Sequence, residues 1–226
     1  YLNRNPARQL GNPEGRHDGF AREPFELDQL RRIFTAPLYT GCIDDGRGWS
    51  KSGPQRPKRT RFWLPLIALF NGLRLNEIAQ MAAEDVVTLR GIMGFDITDK
   101  KVEHRIKTEA SRRIVPVHPR LLEFGFAEYV ETIRKQGHDR LWPDLTKDTR
   151  GLYSDRFQKW HSRFLESCDA KEGGRTFHCY RHNWNDEASE AGIPMERISQ
   201  LGGWTRRSVQ ERYGSCLLYT SDAADE

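Results

Sequence analysis

The chain has 226 residues, of which 37% are hydrophobic, 30% charged and 11% aromatic, the composition of a folded chain with a real core rather than a disordered or fibrous one. No uncharged apolar run approaches the roughly 18 residues of a membrane span, and the opening residues lack the apolar stretch of a secretory signal. Four cysteines, Cys42, Cys168, Cys179 and Cys216, show no paired spacing, which argues against a disulfide framework or a zinc site and points to a reducing cytoplasm.

Residues 1–22 are polar and read as linker. From Phe25 the apolar positions Phe25, Leu27, Leu30, Ile33 and Phe34 fit a short amphipathic helix, stopped by Pro37. The stretch Arg47–Trp63, RGWSKSGPQRPKRTRFW, carries Arg47, Lys51, Arg56, Lys58, Arg59 and Arg61 and no acid. Its Gly, Ser and Pro content reads as a mobile cationic loop suited to a phosphate backbone, although a solvated insertion is the plainer reading of that stretch alone. Thr60 can cap a helix through FWLPLIALFNG, with Pro65 tolerated only in the first turn. Gly72 closes that helix, and a second follows through LRLNEIAQMA; this most apolar segment is the predicted buried centre.

Short β-like runs come next. VVTL and IMGFDIT flank Arg90-Gly91, a plausible hairpin turn, and RRIVPVH from Arg112 supplies a third strand. After Pro119 the segment LLEFGFAEYVETIRKQ is predicted helical, DRLWPDLTKD loop, and LYSDRFQKWHSRFLESC helical again. FHCYRHNWNDEASEAG reads as a helix closed by Gly192, IPMERISQLGG as another, and TRRSVQERYG as a last short one. The predicted fold class is α+β, mainly helical, with one small three-stranded antiparallel sheet.

Four segments hold residues able to carry chemistry. GLRLNEI places Arg74 directly after a helix break, with Glu77 on the same helical face. HCYRH places His178 and Arg181 on one face, able to present an imidazole and a guanidinium to one phosphate, with His182 beside them. KTEASRRIVPV sets Lys107 in the turn before the third strand, and LGGWTRRSVQERYG carries Trp204 and Tyr213. Each alone is an ordinary structural pattern: a surface ion pair, a packed histidine, a solvated lysine, a packing aromatic. Their joint order is far more specific.

In that order the set resembles the catalytic domain of the tyrosine recombinases, the phage integrase family. The family's landmarks are G-[LA]-R-x-x-E, a hairpin lysine, H-x-L-R-H, a G-H or G-W dipeptide, and a tyrosine about nine residues further. Here they stand as GLRLNE, Lys107, HCYRH, Gly203-Trp204 and Tyr213, and the likeness covers roughly residues 24–215. Tyr180 replaces the common leucine, and Trp204 stands where most members have histidine. Members of the family normally continue past the tyrosine into a helix that docks on a neighbouring protomer, and the expectation here is that this helix is missing or overwritten by the tail.

The resemblance implies a site-specific recombinase acting on double-stranded DNA, as a homotetramer on two DNA sites, with no metal, cofactor or membrane. Arg74 and Arg181 would neutralise the phosphate oxygens, since a guanidinium is a rigid fork of donors that stays charged. Tyr213 would be the nucleophile, Lys107 the acid for the departing oxygen, and His178 the base or a phosphate ligand. Trp204 can donate its indole N–H but cannot move a proton. Glu77 would orient His178 or an arginine, and His182 would support the site. Lys100 and Lys101 rival Lys107, which is preferred for the TEASRRIVPV that follows it. Type IB topoisomerase-like relaxation and a DNA-binding remnant without turnover are the competing readings.

The domain plan follows: 1–23 a linker from an N-terminal DNA-binding domain, 24–215 the catalytic domain, and 216–226 a non-native tail. That tail, CLLYTSDAADE, resembles the translation of a transposon-end adapter used in sequencing libraries. Net charge is +4 overall, and because Asp222, Asp225 and Glu226 all lie in the tail, it is +7 without it.

Overall fold

Leu27 begins the first helix because Glu26 and Gln29 close a reciprocal cap, the Glu26 N–H donating to Gln29 Oε1 at 2.9 Å. The computed structural model describes residues 23–98 and 111–204. Its elements in chain order are α1 (Leu27–Phe34), α2 (Pro37–Thr40), α3 (Thr60–Asn71), α4 (Leu75–Ala79), β1 (Val86–Leu89), β2 (Ile92–Ile97), β3 (Arg113–Pro116), α5 (Pro119–Glu123), α6 (Phe126–Lys135), α7 (Ser154–Ser167), α8 (Cys179–Glu190) and α9 (Met195–Gly202). The short helix expected after Trp204 lies outside the described residues.

Helix α3 is the axis of the core. Thr60, Trp63, Leu64, Pro65, Leu66, Ile67, Ala68 and Asn71 are all buried, so it is surrounded on most sides rather than half-solvated. The sequence reading tolerates Pro65 only in a first turn, but the helix starts at Thr60 and Pro65 falls in its second turn. There it has no N–H for the Arg61 carbonyl, a defect worth about 3 kcal/mol in an isolated helix. Packing offsets that cost here: Trp63 meets Phe62 and Phe126 edge-on at 4.9 and 5.1 Å, and burying such rings stabilises by several kcal/mol.

The hairpin forms as its turn residues dictate. Arg90 (φ 51°) and Gly91 (φ 80°) both take positive φ, as a two-residue turn matched to strand twist requires. Pairing then runs from Leu89↔Ile92 to Val86↔Phe95, and β3 adds on the other side through Gly94↔Pro116 and Ile97↔Arg113, giving the antiparallel order β1-β2-β3. One face buries Val86, Phe95, Ile97 and Val115; Leu89, Ile92 and Ile114 face outward. Beyond β3 the expected single helix is two, because Gly125 takes φ 90° between α5 and α6 and lets Phe126 turn into the core beside Phe95.

Two long-range ties set the frame of the later site. The loop before α7 is pinned under α4 by the buried Trp142, whose indole N–H donates to the Ile78 carbonyl at 2.7 Å, and by Arg140, which donates to Ala79. Asn183 of α8 exchanges two hydrogen bonds with the Phe25 backbone. Tyr180, the departure inside HxLRH, is fully buried among Phe25, Phe34 and Phe177, and its hydroxyl meets His161 Nε2 at 3.2 Å.

Burial pushes the His161 imidazole down to about 3, so it is neutral in the folded chain while an unfolded histidine titrates near 6.5. Between those values the unfolded state binds the extra proton, so stability falls as pH falls. Between pH 7 and pH 5 this single group costs about 2 kcal/mol. The urea midpoint is expected to fall over that range in the parent chain and to flatten in His161→Asn.

Candidate active site

Gly72 ends α3 in the left-handed conformation (φ 64°, ψ 20°), its N–H donating to Ala68, and so turns the chain sharply into Arg74 and α4. The same glycine lets α8 approach: a Cβ at 72 would stand 2.3 Å from the Trp184 ring. Arg74 begins α4 in extended conformation, with its own N–H donating to Glu77 Oε2 at 2.9 Å. Its guanidinium donates to Glu77 Oε1 at 2.7 Å and, across the fold, to the Gly203 carbonyl at 3.1 Å. About a fifth of the side chain (21%) stays exposed, and three of its five N–H donors are not used by these two bonds.

Arg181 arrives from α8. It is 1% exposed, and its guanidinium donates to the carbonyls of Gly72 and Gly202. The Trp204 ring lies over it, 4.2 Å from the guanidinium carbon, and packs on Trp184 at 6.0 Å. The two guanidiniums that the sequence separates by more than a hundred positions therefore hold carbonyls of adjacent residues, Gly202 and Gly203. His178 immediately precedes α8, half-buried, one turn from Arg181, and its ring meets that of His182 edge-on at 5.0 Å. Arg74, Glu77, His178, Arg181, His182 and Trp204 thus lie where α4, α8 and the end of α9 meet. Lys107 and Tyr213, with the rivals Lys100 and Lys101, lie outside the described residues.

Glu77 is 4% exposed and shared by two arginines. Burial pushes its carboxyl up, but Arg113, hydrogen-bonded to it, and then Arg74 outweigh burial and hold it below the usual glutamate value. The partner missed in the sequence is Arg113. Its only signal was a cation at the first position of a strand, RRIVPV, which reads equally as a solvated edge. In the fold its side chain is only 7% exposed and takes both Glu77 oxygens, at 3.2 and 3.0 Å.

The expected mobile loop is a hydrogen-bonded turn structure. Cys42 pairs backbone-to-backbone with Gln55 in both directions, and Asp44 Oδ1 accepts from the N–H groups of Gly46, Arg47 and Gly48. Those bonds hold the Asp44 carboxyl below its ordinary value. Arg61 is half-buried, donates to the Asp45 and Gly46 carbonyls and stacks 4.8 Å from Trp160. Lys58 donates to the Phe124 carbonyl, and Arg59 pairs with Asp45 at 3.8 Å. Arg47, Lys51 and Arg56 are exposed. The twelve residues of α3 span about 18 Å, so this cationic segment and the Arg74–Arg181 cluster stand at opposite ends of that helix.

Among the described residues no helix is long and apolar enough to cross a membrane. The model of the phage integrase family matches residues 52–216. A crystal structure of XerA recombinase is similar over 91% of this chain and 66% of its own length, with a TM-score of 0.52 and 14% identity. An integrase from mycobacterium phage Brujita is similar over 93% of this chain and 62% of its own, with a TM-score of 0.52 and 20% identity. These are likenesses of fold, and the chain spans less than two thirds of either protein. No curated protein matches the sequence significantly.

Proposed function

The chain belongs to the phage integrase family of tyrosine recombinases, and we propose that it cuts and rejoins duplex DNA at specific sites through a covalent 3′-phosphotyrosine. The observation that supports this most directly is the convergence of Arg74 and Arg181 on the adjacent Gly203 and Gly202 carbonyls. A phosphodiester resists attack because its charged oxygens repel nucleophiles and its alkoxide leaves poorly. Two fixed guanidiniums answer the first difficulty without metal ions, since their charge is already in place when the transition state forms.

In this reading the Tyr213 oxygen attacks phosphorus while the bond to the 5′-oxygen breaks. The phenol proton passes to His178, and Lys107 gives a proton to the departing 5′-oxygen, so charge and protons balance. Arg74 and Arg181 hold the non-bridging oxygens, and Trp204 offers them one further N–H. Glu77 acts through Arg74, and His182 braces His178 ring against ring. Reversal by a 5′-hydroxyl of another strand rejoins DNA, and four protomers around two duplexes complete the exchange.

The test is a duplex nicked beside the cleavage site, which traps the intermediate because the short product diffuses away. A denaturant-resistant protein–DNA adduct is expected, absent in Tyr213→Phe. Binding without adduct would replace this reading with a DNA-binding remnant. Relaxation of a supercoiled plasmid without strand exchange would replace it with a topoisomerase.

A further inference from the structure

We infer that Arg113 is a positioning residue for this reaction: it fixes Glu77, and through Glu77 the Arg74 guanidinium, while anchoring the Gly202-Gly203 turn on which both phosphate-binding arginines rest. The inference depends on the recombinase reading above and adds to it a residue that reading gives no role. Arg113 is the first residue of β3 and 7% exposed in its side chain, and its contacts run in three directions. Nη1 and Nη2 grip the two oxygens of Glu77 as a fork, at 3.2 and 3.0 Å. Nη1 also donates to the Ser111 carbonyl at 2.7 Å, closing the guanidinium onto the backbone just ahead of β3. Nε donates to the Leu201 carbonyl at 2.6 Å, in the last turn of α9.

The geometry makes this a chain of constraint. Glu77 has two oxygens, and Arg113 occupies one lone-pair direction of each. What remains on Oε1 accepts from the Arg74 side chain, and what remains on Oε2 accepts from the Arg74 backbone. A carboxylate free to rotate would let the Arg74 head follow it; one clamped from β3 cannot. The other end of the chain is equally specific. Leu201 is held by Arg113, Gly202 by Arg181 and Gly203 by Arg74, so three consecutive carbonyls of one turn each face an arginine from a different element.

Glycine at 203 follows from this arrangement. Its φ is 64°, and a Cβ there would come within 2.7 Å of Arg113 Nη1, so only a residue without a side chain passes over the guanidinium. Gly202 is required on the other side, where a Cβ would stand 2.5 Å from the Trp204 ring. The Gly-Gly-Trp sequence is thus read in space as a turn threaded between the Arg113 head and the indole. Among the described residues the charged groups facing Glu77 are Arg74 from α4 and Arg113 from β3; Arg181 of α8 holds the Gly72 carbonyl two residues before Arg74.

The experiment compares the full chain with the paired variant Glu77→Met/Arg113→Met, and with Arg113→Lys, on the nicked duplex. Replacing both members of a buried ion pair by apolar side chains commonly preserves folding, so the pair removes the clamp and leaves Arg74 in place. The rate of adduct formation is expected to fall about 100-fold in the paired variant and about 10-fold in Arg113→Lys, with DNA affinity within about threefold of the parent. In an Arg74→Lys background, where the guanidinium that Glu77 positions is already gone, Arg113→Lys is expected to cost less than about twofold. A merely structural Arg113 would instead multiply its full effect into that background. If the paired variant melts far below the parent, Arg113→Lys and its double with Arg74→Lys carry the test. An unchanged rate in a folded variant, or fully multiplicative effects, overturns the inference alone. No adduct from the parent chain overturns the recombinase reading and the inference together.

Discussion

Arg181→Ala is expected to lower the rate of covalent adduct formation by about 10³-fold or more and to destabilise the fold at the same time. The catalytic loss follows from the removal of a preorganised cation that meets developing charge on phosphorus; one lost donor typically costs 10²–10³, and a whole guanidinium roughly 10³–10⁵. The stability loss follows from burial. Arg181 is 1% exposed and holds the Gly72 and Gly202 carbonyls together beneath the Trp204 ring. Truncation leaves two carbonyls unpaired and a void under an indole, about 2–4 kcal/mol in sum. Arg74→Ala separates the two contributions. Arg74 is partly exposed and its partner Glu77 keeps the Arg113 clamp, so a similar loss of adduct is expected with only about 1 kcal/mol lost in stability. Adduct yield on the nicked duplex and urea midpoints measure both; an Arg181→Ala chain that cleaves at the parental rate would refute its catalytic assignment.

Gly72→Ala is expected to be among the most damaging small substitutions in the chain. The residue must hold φ 64° to end α3, and the added methyl would lie 2.3 Å from Trp184 ring atoms. Backbone strain of about 1–2 kcal/mol and overpacking of about 1–3 kcal/mol add to a loss of roughly 2–5 kcal/mol. The relief available is a shift of α8 away from α3, which would carry Arg181 off the Gly72 carbonyl and away from Arg74. Adduct formation is therefore expected to fall even at temperatures where the variant stays folded. Gly91→Ala supplies the control. It has φ 80° and nothing within 4 Å of a Cβ, so strain alone applies, about 1–2 kcal/mol, and cleavage should be unaffected. Equal losses at the two glycines, measured by urea unfolding, would show that the close approach of α3 and α8 is not what Gly72 protects.

Much of this protein was readable before any contact was known, because the governing signals are local. The Arg90-Gly91 turn, the closure of α3 at Gly72 and the strands on either side depend on φ preferences and alternation within a few residues. The order Arg74, His178-x-x-Arg181, Trp204 and Tyr213 is likewise a linear pattern, and its family assignment needed no coordinates. Readings that failed at this level did so where packing overrode propensity. Pro65 sits in the second turn of α3 because the surrounding core outweighs one missing hydrogen bond, and Gly125 splits a helix so that Phe126 can be buried.

Tertiary structure alone decided which groups share a charge or a carbonyl. Glu77 could have served a histidine or either arginine by its spacing; the fold gives it to Arg74 and Arg113. Arg113 and Arg61 are cations in basic segments, indistinguishable in sequence from solvated ones, yet both are turned inward to backbone carbonyls. Periodicity reports which face of an element is apolar. It carries no information on which buried donor meets which acceptor, because that pairing is made between segments whose separation along the chain has no fixed relation to their separation in space.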